Sequence, residues 1–269
     1  MPRPKPQDRR PQDRRPAERR GIGGEQVEGR RAVAELLVAQ RRRVRDIWMA
    51  EDLDPAPILD LILEHASRQR VPVRRVARLR LDGAARTEAP QGVIAHADPL
   101  PEADYDDLLR SSPPAPLPFL LAVDGVTDPQ NLGALLRSAE AAGATGAVLC
   151  RHRAVHVTPA VTKAAAGAIE RLPLTVVPGL PAAISRAKDA GVWVMGLVTE
   201  SGQDIHSQRL GDGPVMVVLG AEGKGLSRLV RARCDLLTTI PLRGTLASLN
   251  VAAAGAVALF ELARQRDNH

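Results

Sequence analysis

Two hydrophobic patterns follow one another along the chain. EGRRAVAELLVAQ, from Glu28 to Gln40, spaces its apolar residues three and four apart, as one face of a helix does. VRDIWMA (44–50) and VPVRRVA (71–77) read as strands, and PAPILDLILEHASRQR between them as a helix with proline at its start. GVIAHA (92–97) adds a candidate third strand. From Phe119 onward the pattern becomes short, continuous apolar runs: FLLAV, GAVLC, LTVV, VWVMGLV, VMVVLG and LLTTI. Between them the spacing predicts helices following Asn131, Thr158, Gly179, Leu226 and Ser248. Continuous apolar strands alternating with helices predict an α/β fold with a mainly parallel sheet, covered on both faces. Ligands of such sheets bind in the loops beyond the strands' C-terminal ends.

The same reading divides the chain. Residues 1–24 repeat PQDRR, PQDRR, PAERR and cannot form a packed core. Residues 25–98 make a small α/β domain and residues 117–269 a larger one; 99–116, rich in proline and acid, reads as a linker. The chain of 269 residues has a net charge of +6, and residues 1–24 alone account for +5 of it. A basic arm of this kind suits phosphate backbones, and it equally suits a solubilising tail. Within the first domain Arg41–Arg43 and Arg74–Arg75 are the candidate RNA contacts.

Composition removes several classes of function. Aromatics are only 2% of the chain, so the core is built from Ala, Val, Leu and Ile. Cys150 and Cys234 stand apart with no CxxC partner, which argues for a reducing compartment and against a thiolate zinc site. His152 and His156 are four apart, but HRAVH lacks the glutamate of HExxH, so no metal is expected. The longest uncharged run, Gly244–Phe260, is polar at Ser248 and Asn250 and shorter than the ~20 apolar residues of a membrane span. A cytoplasmic protein without membrane contact is the expectation.

Three loops carry candidate chemistry. In DPQNLGALLR, Leu132, Leu135, Leu136 and Ala139 form the buried stripe of a helix; Asn131 is left at its mouth and Arg137 off the stripe. Asp128 or Asn131 can cap that helix. VVLGAEGKGLS sets Glu222 among Gly220, Gly223 and Gly225 after an apolar strand. Its GxxGxG order reverses the dinucleotide fingerprint, and Lys224 is not placed as in GxxxxGK[ST], which disfavours a nucleotide-dependent oxidoreductase. In IPLRGTLASLNVAAAG, Ser248 reads as a helix cap, and Asn250 heads so apolar a segment that its amide needs a partner.

Together DPQNLGALLRSAEAAG, LGAEGKGLSRLVRARCD and IPLRGTLASLNVAAAGAVALFE resemble the three signature motifs of the SpoU (TrmH) family of RNA 2'-O-ribose methyltransferases, within the SPOUT superfamily. The resemblance spans about residues 117–269. The stretch from EGRRAVAELL onward is similar to the family's L30e-like RNA-binding domain. HVTPAVTKAAAGAIERLPL is similar to the branch that methylates a guanosine ribose in 23S ribosomal RNA.

What the resemblance implies is a deep trefoil knot, which chain-connection rules alone make improbable, an obligate homodimer, and S-adenosylmethionine (SAM) as methyl donor. Carried over by position, Asn131, Arg137, Glu222, Ser248 and Asn250 match the catalytic positions. Thr199, Leu219, Gly220, Glu222, Gly223, Ile240, Leu242, Leu249 and Asn250 match the SAM-binding ones. Ala252 and Ala253 depart from the Ser-Val that many relatives carry there, so any polar contact from that serine is absent. The implied substrate is ribosomal RNA. Transfer RNA is the alternative, and a non-catalytic RNA-binding protein a further one, which the five retained positions speak against. A guanidinium pKa above about 12 makes Arg137 a poor base, so its expected role is to anchor phosphate and stabilise charge. Glu222 is expected to pair with Asn131, or with Arg137 across the dimer.

Overall fold

The computed structural model describes residues 21–110, 116–151, 157–245 and 247–267. Most of the basic arm (1–20) and the His152/His156 pair lie outside the described residues. The first domain runs β1 (Gln26–Glu28), α1 (Arg30–Ala39), β2 (Val44–Ala50), α2 (Pro57–Arg68), β3 (Val73–Val76), α3 (Arg78–Ala84) and β4 (Val93–Ala97). Its sheet has the order β1-β4-β2-β3, with β4 antiparallel to both neighbours and β3 parallel to β2. Val33, Leu36 and Leu37 of α1 and Ile62 of α2 close the core over Ile47, Met49 and Val93.

Two elements here escape the hydrophobic pattern. β1 is only three residues long, and α3 has a single buried residue, Leu81. Glu28, which the pattern assigns to the first helix, belongs to β1 and is fully buried. Its carboxylate accepts from Gln26 Nε2 (2.7 Å), from the amides of Arg86 (2.7 Å) and Thr87 (3.1 Å), and from the Thr87 hydroxyl.

The segment read as a linker contains α4 (Tyr105–Leu109), capped by Asp104, whose carboxylate accepts from the amides of Asp106 and Asp107. The Tyr105 hydroxyl donates to the Ala183 carbonyl at 2.8 Å, so α4 is docked rather than free. Burial pushes that phenol's pKa up.

The second domain continues with β5 (Phe119–Asp124), α5 (Pro129–Ala141), β6 (Gly146–Cys150), α6 (Pro159–Ala164), β7 (Leu174–Val177), α7 (Leu180–Asp189), β8 (Trp193–Leu197) and β9 (Gln203–Asp204). It ends with β10 (Val215–Gly220), α8 (Arg228–Arg233), β11 (Leu236–Thr239) and α9 (Val251–Arg266). Seven strands pair in parallel in the order β7-β6-β5-β10-β8-β11-β9. Strand residues alternate between faces, so Phe119, Leu121 and Val123 of β5 meet α5, α6 and α9. Leu120 and Ala122 face α4, α7 and α8. The two-residue β9 is the one strand of this sheet that the apolar runs miss, because both its residues are exposed.

The seam between the domains corrects the reading of Arg41 and Arg42 as RNA contacts. Arg42 Nε and Nη2 donate to the Glu170 carboxylate at 3.0 and 2.6 Å, and Nη1 to the carbonyls of Gly24 (2.7 Å) and Asp98 (2.6 Å). Arg41 donates to the Leu172 carbonyl at 3.2 Å, and Arg171 pairs with Glu35 at 2.7 Å. An arginine run looks the same in sequence whether it meets phosphate or a buried carboxylate; of residues 41–43 only Arg43 is exposed. Among the described residues no helix is long and apolar enough to cross a membrane.

Candidate functional site

The strand order reverses at β5, with β6 and β7 on one side and β10, β8, β11 and β9 on the other. Leu219 and Gly220 of β10 lie in register with Val123 and Asp124 of β5, so the loops that leave these strands are neighbours. Open α/β sheets bind ligands at such a reversal.

From β5 the chain enters α5. Asp128 is the cap, accepting from the amides of Gln130 and Asn131 at 3.2 Å, and Pro129 takes the first helical position. The Asn131 side chain is thereby left for other work, and its Nδ2 donates to Glu222 Oε1 at 2.8 Å.

Glu222 stands in a closed turn. Gly225 N donates to Ala221 O at 2.8 Å and Ala221 N to Gly225 O at 3.2 Å. Gly223 (φ +72°) and Gly225 (φ +62°) hold the left-handed backbone that the turn needs. Gly220 lies so close beneath it that a Cβ there would sit 2.1 Å from the Gly225 carbonyl carbon. Asp124 fastens the far side, its Oδ2 accepting from Ser227 N at 2.7 Å.

The third loop enters α9 through Asn250, whose Oδ1 caps the helix by accepting from Ala252 N (2.8 Å) and Ala253 N (3.3 Å). Ser248, expected to be the cap, lies exposed two residues earlier. The substitution is physical: Asn250 serves both ends of its amide, since Nδ2 also donates to Asn131 Oδ1 and Glu222 Oε1, each at 3.0 Å. One oxygen of Glu222 thus gathers two amides from two different loops. Asn131 of the same chain is thus a partner of Glu222.

Behind this triad lies a pocket of about 560 Å³, within the ~300–1,000 Å³ of small-molecule sites. Leu219, Gly220, Glu222 and Gly223 line it from the β10 loop, and Thr199 from the end of β8. Ile240, Leu242, Ser248, Leu249 and Asn250 close it from the segment between β11 and α9. Asn131 stands at its rim through Glu222. Arg137 is not brought in: six residues beyond Asn131 it points about 120° away around the helix, is exposed, and has no hydrogen-bond or ion-pair partner among the described residues. Sequence reading missed Asp124 and the pocket-lining Glu200 and Arg231. The available signal for Asp124 was its position as the first polar residue after a buried strand.

Residues 118–260 match the SpoU rRNA Methylase family, and residues 26–103 the RNA 2'-O ribose methyltransferase substrate-binding family. The chain belongs to the SpoU family. A similar relative is the 23S rRNA (guanosine-2'-O-)-methyltransferase RlmB of Pseudomonas putida, 40% identical over 90% of this chain and 97% of that protein. The protein of the same name from Photobacterium profundum is 37% identical over 91% and 99%. Among solved structures, the SpoU methyltransferase AviRb of Streptomyces viridochromogenes, crystallised with AdoMet, superposes with a TM-score of 0.72 at 25% identity over 91% of each chain. The three loops that meet at the pocket all lie within the SpoU match.

Proposed function

We propose that this SpoU family member transfers a methyl group from SAM to the ribose 2'-hydroxyl of a guanosine in 23S ribosomal RNA. The observation that carries the reading is the meeting of Asn131, Glu222 and Asn250 at the rim of one small-molecule pocket. The names of the family's similar members support the RNA and the nucleotide.

The pocket fits the donor in its chemistry. Leu219, Ile240, Leu242 and Leu249 offer apolar walls for a flat base, and the turn carrying Gly220 and Gly223 offers main-chain polar groups close to the surface. Thr199 adds a hydroxyl-bearing residue to the lining. SAM supplies an activated methyl on a positively charged sulfur. The residues of the chain have the remaining tasks, which are to align the 2'-hydroxyl and to accept charge. Alignment alone supplies roughly 7–11 kcal/mol. Glu222 fixes Asn131 and Asn250 as a rigid amide rim, and Ser248 extends that rim. Arg137 is assigned to an RNA phosphate, with phosphate or water taking the proton, because a guanidinium is a poor base.

Arg137 acts, in this reading, in the site of a second copy. Ala253, Val257 and Phe260 make an exposed apolar stripe on α9, which packs against α5, the helix that carries Arg137. A homodimer through this face covers the stripe and gives the unpartnered guanidinium a site. The return of α9 onto α5 after the β11 loop has closed the pocket supports a knotted C-terminal segment, and the four-stranded mixed sheet an L30e-like first domain. A ribosomal RNA substrate implies a cytoplasmic enzyme.

Transfer of tritiated methyl to 23S rRNA that lacks the modification tests the reading. Label on one guanosine ribose is the expected result. Protein that binds SAM in a calorimeter but labels no RNA defeats it, and label on transfer RNA alone moves the substrate to that class.

A further inference from the structure

A second cavity, a groove of about 950 Å³, runs between the two domains. Arg30, Arg31 and Gln91 line its first-domain wall, and Gln130 and Lys163 its second. One carboxylate reaches it, that of Glu28, and this is already saturated by four donors from Gln26, Arg86 and Thr87. The groove therefore presents three cations with no accessible anion among its lining residues. Arg30 donates one Nε–H to the Gln91 carbonyl at 3.2 Å. Arg31 is exposed and Lys163 half-buried, and neither side chain has a hydrogen-bond or ion-pair partner among the described residues.

Its position and rigidity matter as much as its charge. Gln130 precedes Asn131 in the first turn of α5, so the groove's second-domain wall and the pocket rim draw on neighbouring residues of one helix. The walls are held in fixed relation by the buried Arg42–Glu170 pair and by Arg171–Glu35. No aromatic side chain lines it, so it offers bases no aromatic stacking platform. Cations with amides, and no stacking platform, suit a phosphate–ribose backbone, whose contacts set register without reading sequence.

We infer that this interdomain groove is the track for the phosphodiester backbone of the RNA substrate. Arg31 and Lys163 bind its phosphates and Gln130 hands the strand to the Asn131 rim. The inference rests on reading the pocket as an RNA methyl-transfer site, and its test separates the two.

The experiment uses full-length protein with Arg31→Gln and Lys163→Gln, singly and together, and a 23S rRNA fragment titrated across a salt series. Each loss of charge flattens the log–log salt dependence by about 1, weakens binding several-fold at low salt, and raises KM for RNA more than it lowers kcat. SAM affinity stays unchanged, and Lys163→Arg restores the slope. Bound RNA also shields Lys163 from an amine-acetylating reagent. Wild-type affinity and slope in the double variant, failure of Lys163→Arg to restore them, or acetylation of Lys163 indifferent to RNA would each overturn the groove. Wild-type protein that transfers no methyl, while the variants still lose slope, defeats the proposed function and leaves the groove standing.

Discussion

At the domain seam the side chains of Arg42 and Glu170 are 3% and 1% exposed; at the pocket rim Glu222 and Asn250 are exposed and Asn131 is half-buried. Both clusters tie together segments more than 90 residues apart in sequence, and they do so under different rules. In the seam a charge without its partner has nowhere to go, so every donor of Arg42 that meets the interior finds an acceptor. At the rim water can replace any lost partner, so the amide–carboxylate triad contributes little to stability and is free to be shaped by chemistry. A buried charged pair therefore marks where the molecule must not move, and an exposed polar triad marks where it works.

The sharpest way to break that contrast is to cut the seam. Arg42→Ala leaves Glu170 charged and buried, and is expected to cost about 3–5 kcal/mol in urea unfolding. Replacing the pair together, Arg42→Met with Glu170→Leu, should recover most of the loss. A cost for Arg42→Ala below about 1 kcal/mol would mean that water enters the seam, and the distinction would fall. Next in size is the site: Arg137→Ala is expected to lower kcat by about 10²–10³-fold, the scale of losing one charge-stabilising donor. Unfolding should shift by no more than about 0.5 kcal/mol, because the residue is exposed and unpartnered. Near-normal turnover by Arg137→Lys would show that the planar fork is not needed.

The same contrast explains what could be read from the chain. The parallel sheet was legible because β5, β6 and β10 are continuous apolar runs, buried on both faces. β1, β9 and α4 were not, since their short segments owe their form to neighbours rather than to a period of their own. At the rim the residue types and their order were legible through the three motifs. Which amide caps α9 was not, because Ser248 and Asn250 are equally good caps on paper and only the second reaches Glu222. Arg41 and Arg42 were misassigned for want of Leu172 and Glu170, which lie more than 120 residues away.

Asn250 sits between the two regimes, since one side chain both caps α9 and joins the rim. Asn250→Ala removes the cap, at about 1 kcal/mol, and also two of the three hydrogen bonds of the triad. Asn250→Asp keeps the capping oxygens and sets a second carboxylate against Glu222. Stability near wild type with impaired methyl transfer is the expected outcome for Asp, whereas equal loss of both properties in the two variants would make the rim merely structural.

The smallest effect comes from an intermediate cluster at the end of α9. The side chain of Glu261 is 9% exposed, and its carboxylate accepts from Arg264 (2.7 and 3.1 Å) and Gln265 (2.9 Å), with His206 at 3.5 Å. The Arg264 guanidinium first, then the Gln265 amide, hold its pKa down at about 2 against an ordinary 4.5, although burial pulls the other way. A depressed carboxyl pKa adds stability that is complete above the unfolded value and is lost as pH falls from about 4.5 toward 2. Arg264 is largely exposed, so solvent screens the pair and the gain is modest. Glu261→Gln should therefore be slightly less stable than wild type at pH 7, with a deficit that shrinks as pH falls below about 4.5 and is smallest near pH 2. A variant whose deficit persists unchanged at pH 3 would show that Glu261 holds α9 by packing rather than by charge, and would align this cluster with neither the seam nor the rim.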